Sequence, residues 1–596
     1  MRVAVSQFAT SSNVQENLAT CIRMINETAV CKPSLIVLPE FCNTLSWYLD
    51  HNQAWNAALA IDGDFLQCIA AQAQKHDCYI VINVTIRRDD LREHQDATIK
   101  SNISVTSCLF SPLGELIHQQ DKQTLVGHEN DFFISASRSF TVVATTFGHT
   151  GLLSGNDSIT FEGSRELALL GAQLLCNPLS SNVLDQSNLH GPARTYENKV
   201  FLATANKIGS VIPKEQATVQ GDNFSAQCFV PQDDLVGASV GIGHSQIVAP
   251  NGNVLAKVTN NEEGFVFADI NLAEAGISAN HKCRPDGTEL IKQRRPELYL
   301  GLTLAIKQAD QHDVINSKVP VTANVAIFAT YKTDQEAIED VCHYIENNLS
   351  DIIQLPELFF IADKTITNNV EQRVQIERLS QQLINQVSLV LRPHQYVCTS
   401  LVIAGIHQAV LISEHGLFAI QDQLHFCKRY QWTPLGDDLT IIELPLEQGN
   451  ITVAMLTADD ANIPEIVKQT ALNGIHLLLV PFDIQEAGEV EYSLLTRAAE
   501  NRICIVAASR EKSFVNDSPA DNGNDNLYSK NKVKFKKSTG LIANLITDFA
   551  LLPQWQSPKF NGFNNKPIVT HQHGKITKAV IHPIAACSKL MTTKQG

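Results

Sequence analysis

Two acids placed alike raise the chemical question. Glu40 closes the apolar run "SLIVLPEF" (Ser34–Phe41), and Glu357 closes "DIIQLPELF" (Asp351–Phe359). A carboxylate at a strand end projects into a cleft, where it can take a proton from a neighbour. Such a base needs a nucleophile to deprotonate. The stretch "GLLSGNDSITFEGSRELALLGAQLL" (Gly151–Leu175) reads as an apolar strand, a sharp turn carrying acids, and a helix. Many hydrolases mount the attacking atom on this layout, yet Gly155 stands at the turn and has no side chain. Ser154 comes one residue too early. Adjacent strand side chains point to opposite faces, so its hydroxyl is expected to face the core.

The elements that position these residues occur twice. The Leu-Pro-Glu strands lie 317 positions apart. "TYENKVFLATAN" (Thr195–Asn206) returns 303 positions later as "AAENRICIVAAS" (Ala498–Ser509), preceded by Arg194 and Arg497 respectively. The Gly151–Pro178 region returns as "VAMLTADDANIPEIVKQTALNGIHLLLVP" (Val453–Pro481). Order and spacing survive, which indicates a tandem duplication. The break falls in the polar stretch "KQADQHDVINSKVP", giving a first domain over 1–306, a linker over 307–320 and a second domain over 321–596. Short apolar runs such as "CYIVINVTI" alternate with amphipathic segments such as "VQENLATCIRMINETAV", the pattern of an α/β fold. An insertion near 512–537, acidic and then basic, reads as a solvated mobile loop.

Composition bounds the remaining functions. The chain has 596 residues, 44% of them hydrophobic and 18% charged, which suits folded globular protein of more than one domain. A formal net charge of −16 without a basic stripe argues against nucleic acid as a partner. No apolar run approaches the ~20 residues that span a bilayer, so no membrane is expected. The opening "MRVAVSQF" looks like a core strand rather than a signal peptide. The 14 cysteines lack metal-ligand spacing, and no Gly-rich phosphate loop is present. The expectation is a reduced, cytoplasmic protein with no metal and no cofactor.

With these motifs in order, the sequence resembles the nitrilase, or carbon–nitrogen hydrolase, superfamily, and it does so twice. The resemblance implies two tandem αββα four-layer sandwich domains. It also implies a Glu–Lys–Cys constellation that cleaves amide or nitrile C–N bonds. In the first half the general-base glutamate falls on Glu40, the lysine on Lys122 in "DKQTLVGHEN", and a second glutamate on Glu129. Registered on Asp157, Glu162, Arg165 and Gly171-Ala172, the cysteine position is Gly155. Later segments match at Arg194, Glu197, Asn198, Asn206 and Gly209, and "RRPELY" (Arg294–Tyr299) matches the usual ending. In the second half the glutamate falls on Glu357 and the lysine on Lys428 in "FCKRYQW". Asp460, Pro464 and Glu465 then place Ala458 where the cysteine belongs, and Arg497, Glu500 and Asn501 match the late segment. Leu435, seven residues after Lys428, leaves no second glutamate there.

Attack on an amide carbonyl needs an activated nucleophile and donors for the developing oxyanion. Loss of the nucleophile alone can cost on the order of 10⁶-fold in rate. Three readings follow. In the first, the chain is a catalytically degenerate tandem protein that acts by binding a small amide-like or polar ligand or a protein partner. In the second, Ala458 replaces a native cysteine, and the second domain is a working amidase or nitrilase. In the third, the protein is an assembly scaffold, an internal pseudo-dimer that forms a homo-oligomer. The acids and lysines also have a plain structural reading, as buried ion-pair clusters retained because removing one member leaves an unpaired charge.

Overall fold

The computed structural model describes residues 1–88, 102–125, 129–136, 139–181, 184–210, 240–276, 283–302, 319–361, 369–515, 535–545 and 567–587. These gather into two compact units, one ending before Cys283 and one beginning with it.

In the first unit, β1 (Arg2–Gln7), β2 (Leu35–Val37), β3 (Tyr79–Arg87), β4 (Ile103–Phe110), β5 (Leu116–Asp121) and β14 (Gly264–Asp269) form a six-stranded sheet in the order β14-β1-β2-β3-β4-β5. A second sheet contains β6 (Val142–Thr145), β7 (Gly148–Leu152), β8 (Leu174–Leu179), β9 (Phe201–Asn206), β12 (Gln246–Val248) and β13 (Val254–Lys257), ordered β13-β12-β9-β8-β7-β6. A small pair, β10 (Ile208–Ser210) and β11 (Val240–Ile242), lies apart. The centre of each large sheet is parallel and its flanks antiparallel.

Strand alternation explains the layers. Val3, Val5, Val37, Tyr79 and Val81 face Leu152, Leu174, Cys176, Phe201 and Ile247 in a core between the two sheets. The alternate residues Ile36, Ile80, Ile82 and Val84 pack against Leu18, Cys21, Met24, Ile25, Phe65 and Ile69 of helices Val14–Ala29 and Asp64–His76. On the outer face of the second sheet, Leu175 and Leu202 meet Leu167 and Ala168 of helix Phe161–Leu169. With both faces buried, the strands read as continuous apolar runs. The unit is an αββα sandwich.

The second unit repeats this arrangement strand for strand. Its first sheet joins β15 (Ala323–Phe328), β16 (Ile352–Glu357), β17 (Tyr396–Ile403), β18 (Ile406–Ser413), β19 (Gly416–Asp422) and β28 (Ile576–Ile581), ordered β28-β15-β16-β17-β18-β19. The other joins β20 (Ile441–Leu446), β21 (Gly449–Met455), β22 (Leu477–Pro481), β23 (Cys504–Ala508), β26 (Leu541–Asn544) and β27 (Ile568–His571), ordered β27-β26-β23-β22-β21-β20. Each strand is the first unit's counterpart advanced by fourteen, and the small pair recurs as β24 (Lys512–Val515) and β25 (Phe535–Ser538). The expected insertion near 512–537 therefore begins and ends in this pair, and residues 516–534 lie outside the described residues. Val325, Ile352, Tyr396, Val453, Leu477 and Val506 fill the core between the sheets, while helices Asp334–Glu346 and Val370–Val390 cover the first sheet. The sequence carries the first domain to residue 306. In the structure Cys283–Tyr299 groups with the second unit, where Arg294 pairs with Glu465 at 2.6 Å and the Tyr299 hydroxyl lies 2.6 Å from His425 Nε2.

Candidate functional site

Glu40 follows β2, Lys122 follows β5, and Glu129 opens the helical turn Glu129–Phe132, so three loops at one end of the sandwich converge. Lys122 Nζ donates to Glu40 Oε1 at 2.7 Å and to Glu129 Oε1 at 2.8 Å. The Lys122 side chain has no solvent exposure and that of Glu40 has 2%. Burial alone would pull the ammonium's pKa down, but Glu129 and Glu40 outweigh it, and the group ends above its ordinary value. A second buried ammonium, Lys207, donates to the carbonyls of Phe41 and Thr44 at 3.0 and 3.1 Å and fixes the loop after Glu40. Burial lowers its pKa to about 8. Sequence reasoning passed over Lys207, a lysine beside the matched Asn206 that carried no signal of its own.

Gly155 begins the turn after β7 at φ +50, a left-handed conformation that a side chain adopts at a cost. A Cβ built on it would lie 2.4 and 2.5 Å from the two carboxylate oxygens of Glu40. The Glu40 head group thus occupies the space that a side chain at 155 would need. Ser154 points the other way: its hydroxyl lies 2.8 Å from Ser107 Oγ and accepts from Asn83 Nδ2 at 3.1 Å, inside the core. Asp157 holds the turn by accepting from the backbone N–H groups of Gln123, Thr124 and Ser154. Burial raises its pKa to about 6 despite those donors. Among the described residues no cysteine sulfur hydrogen-bonds to Glu40, Lys122 or Glu129. Cys42, two residues after Glu40, points at the Pro39 carbonyl at 3.1 Å, and Cys176 is a fully buried thiol whose pKa burial pushes up.

The second unit keeps the glutamate and changes its company. Glu357, at the end of β16, receives Arg429 Nη1 and the Tyr430 hydroxyl on Oε2, both at 2.9 Å. Arg429 also binds Asp483 at 3.1 Å and Asp459 at 2.8 Å. Burial disfavours the Arg429 cation, but Asp459 and Glu357 more than compensate and raise its pKa. Burial likewise favours protonation of Asp459, and Arg429 with Arg284 overrides it, leaving that carboxyl below its usual range. Ala458, 1% exposed, starts the helical turn Ala458–Ala461. Lys428 is exposed and makes no ion pair with Glu357 among the described residues, so the lysine assigned from sequence is corrected to the neighbouring Arg429 as the cation on Glu357. The nearby thiol of Cys427 is pushed far up by burial and by Asp459, which keeps it protonated.

In both units the late segment forms a buried i,i+3 pair, Arg194–Glu197 at 2.8 Å and Arg497–Glu500 at 2.5 Å, each on a helix that leads into a central strand. These residues tie their own helices and do not reach the glutamates at 40 and 357 through any described bond. Among the described residues no group of His, Cys, Asp and Glu is arranged to hold a metal ion. No described helix is long and apolar enough to cross a membrane.

The carbon–nitrogen hydrolase profile matches residues 2–278. A nitrilase of Pyrococcus abyssi is 25% identical over 285 residues, 48% of this chain and 93% of its own. The omega-amidase NIT2 of Bos taurus is 26% identical over 317 residues, 50% of this chain and 96% of its own. An amidase from Nesterenkonia sp. of known structure is 21% identical, covering 50% of this chain and 95% of its own with a TM-score of 0.37. The first half of the chain is thus similar to the carbon–nitrogen hydrolases.

The two units can be registered on one another by their hydrogen bonds. Asp157 accepts from the N–H groups of residues 123 and 124, and Asp460 accepts from those of residues 424 and 425. Lys122 N donates to Val105 O, and Gln423 N donates to His407 O. The counterpart of Lys122 is therefore Gln423, a neutral amide whose Oε1 lies 2.8 Å from His407 Nδ1. A sequence signal existed: "QDKQT" (Gln120–Thr124) and "QDQLH" (Gln421–His425) span the ends of β5 and β19. Arg429 enters from a later loop and supplies the cation that this position lacks.

Proposed function

We propose that this chain is a non-hydrolytic member of the carbon–nitrogen hydrolase family, in which both ancestral reaction centres persist as buried ionic clusters. It acts through the surfaces of its two units, by engaging a partner or supporting an assembly, rather than by turnover. The observation that carries this reading is the place of the Glu40 carboxylate, within 2.4 and 2.5 Å of where a Cβ at position 155 would stand. A base that fills its nucleophile's site has nothing to deprotonate, and the ammonium meant for an oxyanion is spent on two carboxylates. A small ligand at this centre is disfavoured for the same reason: Lys122 is fully buried and already bonded. The alternative of an active second unit, with cysteine at 458, finds little support, because Arg429 and Tyr430 both hold Glu357 and Gln423 stands where a lysine would be needed.

The test is hydrolysis of a broad panel of amides, nitriles and N-carbamoyl compounds by the purified protein, beside Glu40→Gln and Glu357→Gln. The expected result is the uncatalysed rate in all three samples. Turnover that either substitution abolishes would overturn the proposal.

A further inference from the structure

The second unit's ionic cluster is completed by a residue on a separate turn. Cys283 and Glu289 form an antiparallel bridge, Arg284 N donates to Thr288 O at 2.8 Å, and Gly287 N donates to Arg284 O at 2.7 Å. Between them Pro285 presets φ and Gly287 adopts φ +83, which makes a rigid tip. The tip is docked on one loop: Thr288 Oγ1 accepts from Lys428 N at 2.8 Å, and Asp286 Oδ2 accepts from Arg429 N at 3.3 Å. From this tip the Arg284 side chain, 2% exposed, pairs with Glu489 and brings Nε to 3.9 Å from Asp459 Oδ1.

Of the two carboxylates it meets, Asp459 also holds Arg429 through Oδ2, while Glu489 makes no other ion pair among the described residues. Arg429 satisfies Glu357, Asp483 and Asp459 Oδ2, and Lys512 adds a contact to Asp483 at 3.1 Å. Glu489, fully buried, is otherwise held by neutral donors, Asn462 Nδ2 at 2.9 Å, Gln485 N at 2.7 Å and Glu486 N at 3.4 Å. Burial raises its pKa and Arg284 opposes the rise. Asp459 Oδ1 and Asn462 Oδ1 are buried and accept no hydrogen bond among the described residues. Asp459 follows Ala458 in sequence, and Asn462, which holds Glu489, also donates to the Ala458 carbonyl at 3.0 Å. Several acceptors around one flat cation is the geometry that a guanidinium satisfies and a point-like ammonium does not.

We infer that the second unit contains a guanidinium-binding site built from Asp459, Asn462 and Glu489 beside Ala458, and that Arg284 is its tethered occupant. The site takes free alkylguanidinium compounds, or an arginine side chain from another polypeptide, when Arg284 is absent. This inference is independent of whether the first unit turns substrate over.

The experiment is chemical rescue in the full chain. Arg284→Ala is melted with increasing ethylguanidinium, with ethylammonium and the unaltered protein as comparators. The expected result is a rise in melting temperature of Arg284→Ala that grows with the logarithm of ethylguanidinium concentration once this exceeds the dissociation constant. The unaltered protein gives no such rise, and Glu489→Gln added to Arg284→Ala abolishes it. Should Arg284→Ala not fold, Arg284→Gln is titrated in the same way. Equal responses in variant and unaltered protein, or equal effects of the two compounds, would overturn the inference.

Discussion

Replacing Lys122 by Met keeps the volume and removes the one cation from between two buried carboxylates. Both hydrogen-bonded ion pairs, at 2.7 and 2.8 Å, are lost together. Breaking a buried pair by removing one partner costs about 3–5 kcal/mol. Against a typical domain stability of ~5–15 kcal/mol that is a large fraction. With a urea dependence of ~1–3 kcal/mol per molar, the midpoint should fall by roughly 1–5 M. The pH dependence has a definite sign. In the unaltered protein the folded pKa of Lys122 is raised, so its contribution is fully present below the unfolded lysine value and does not change between pH 5 and 8. In Lys122→Met the unpaired glutamates are the groups whose folded pKa values rise. Their burial is tolerated when protonated and penalised as pH climbs through the raised values, so the deficit should be larger at pH 8 than at pH 5. Adding Glu40→Gln and Glu129→Gln should recover most of the loss by removing the charges left behind. Urea titrations at both pH values provide the assay. A deficit under about 1 kcal/mol, or one that is equal at the two pH values, would refute the argument that these three residues form a closed ionic cluster.

Gly155→Cys should destabilise the first unit by about 1–3 kcal/mol, because the new Cβ meets the Glu40 oxygens and φ +50 is strained for any side chain; a melting curve checks this. Burial raises the folded pKa of Asp157 to about 6, above the ordinary aspartate value. Its contribution therefore favours the fold at low pH and is lost as pH rises through 6, a change of about 3 kcal/mol. Asp157→Asn should remove that component of the pH–stability profile. In the second unit, Arg429→Met should cost about 3–5 kcal/mol by stranding Glu357, Asp459 and Asp483. Lys428→Met at the neighbouring exposed position should stay within ~0.5 kcal/mol. Parallel chemical denaturation of the two variants distinguishes them.

Much of the fold was legible because duplication writes the same instructions twice. "SLIVLPEF" and "DIIQLPELF" became β2 and β16 with Glu40 and Glu357 at their ends, and the glycine register placed Gly155 at a turn against Glu40. The lysine of the second half was misread because residue type was weighed above register. Lys428 has the right charge, but the strand that ends in "QD" delivers Gln423 to the position, and charge then returns from Arg429. Burial of Asp459, Asp483 and Glu489 in one cluster was not readable, since scattered acids in loops look solvated until their partners are known. Nor does a run such as "HKCRPDGTEL" reveal which unit its arginine serves. Pro285 and Gly287 announce a turn, whereas the acceptors of Arg284 lie more than 170 positions away in sequence.

The account rests on neither turn presenting a thiol at the nucleophile's position, where Gly155 and Ala458 stand. Intact-mass measurement of protein acid-quenched during incubation with an excess of the amide and nitrile panel tests it most directly. The predicted result is the unmodified mass at every time point. A thioester or ester adduct mapping to residues 154–158 or 457–460 would contradict it.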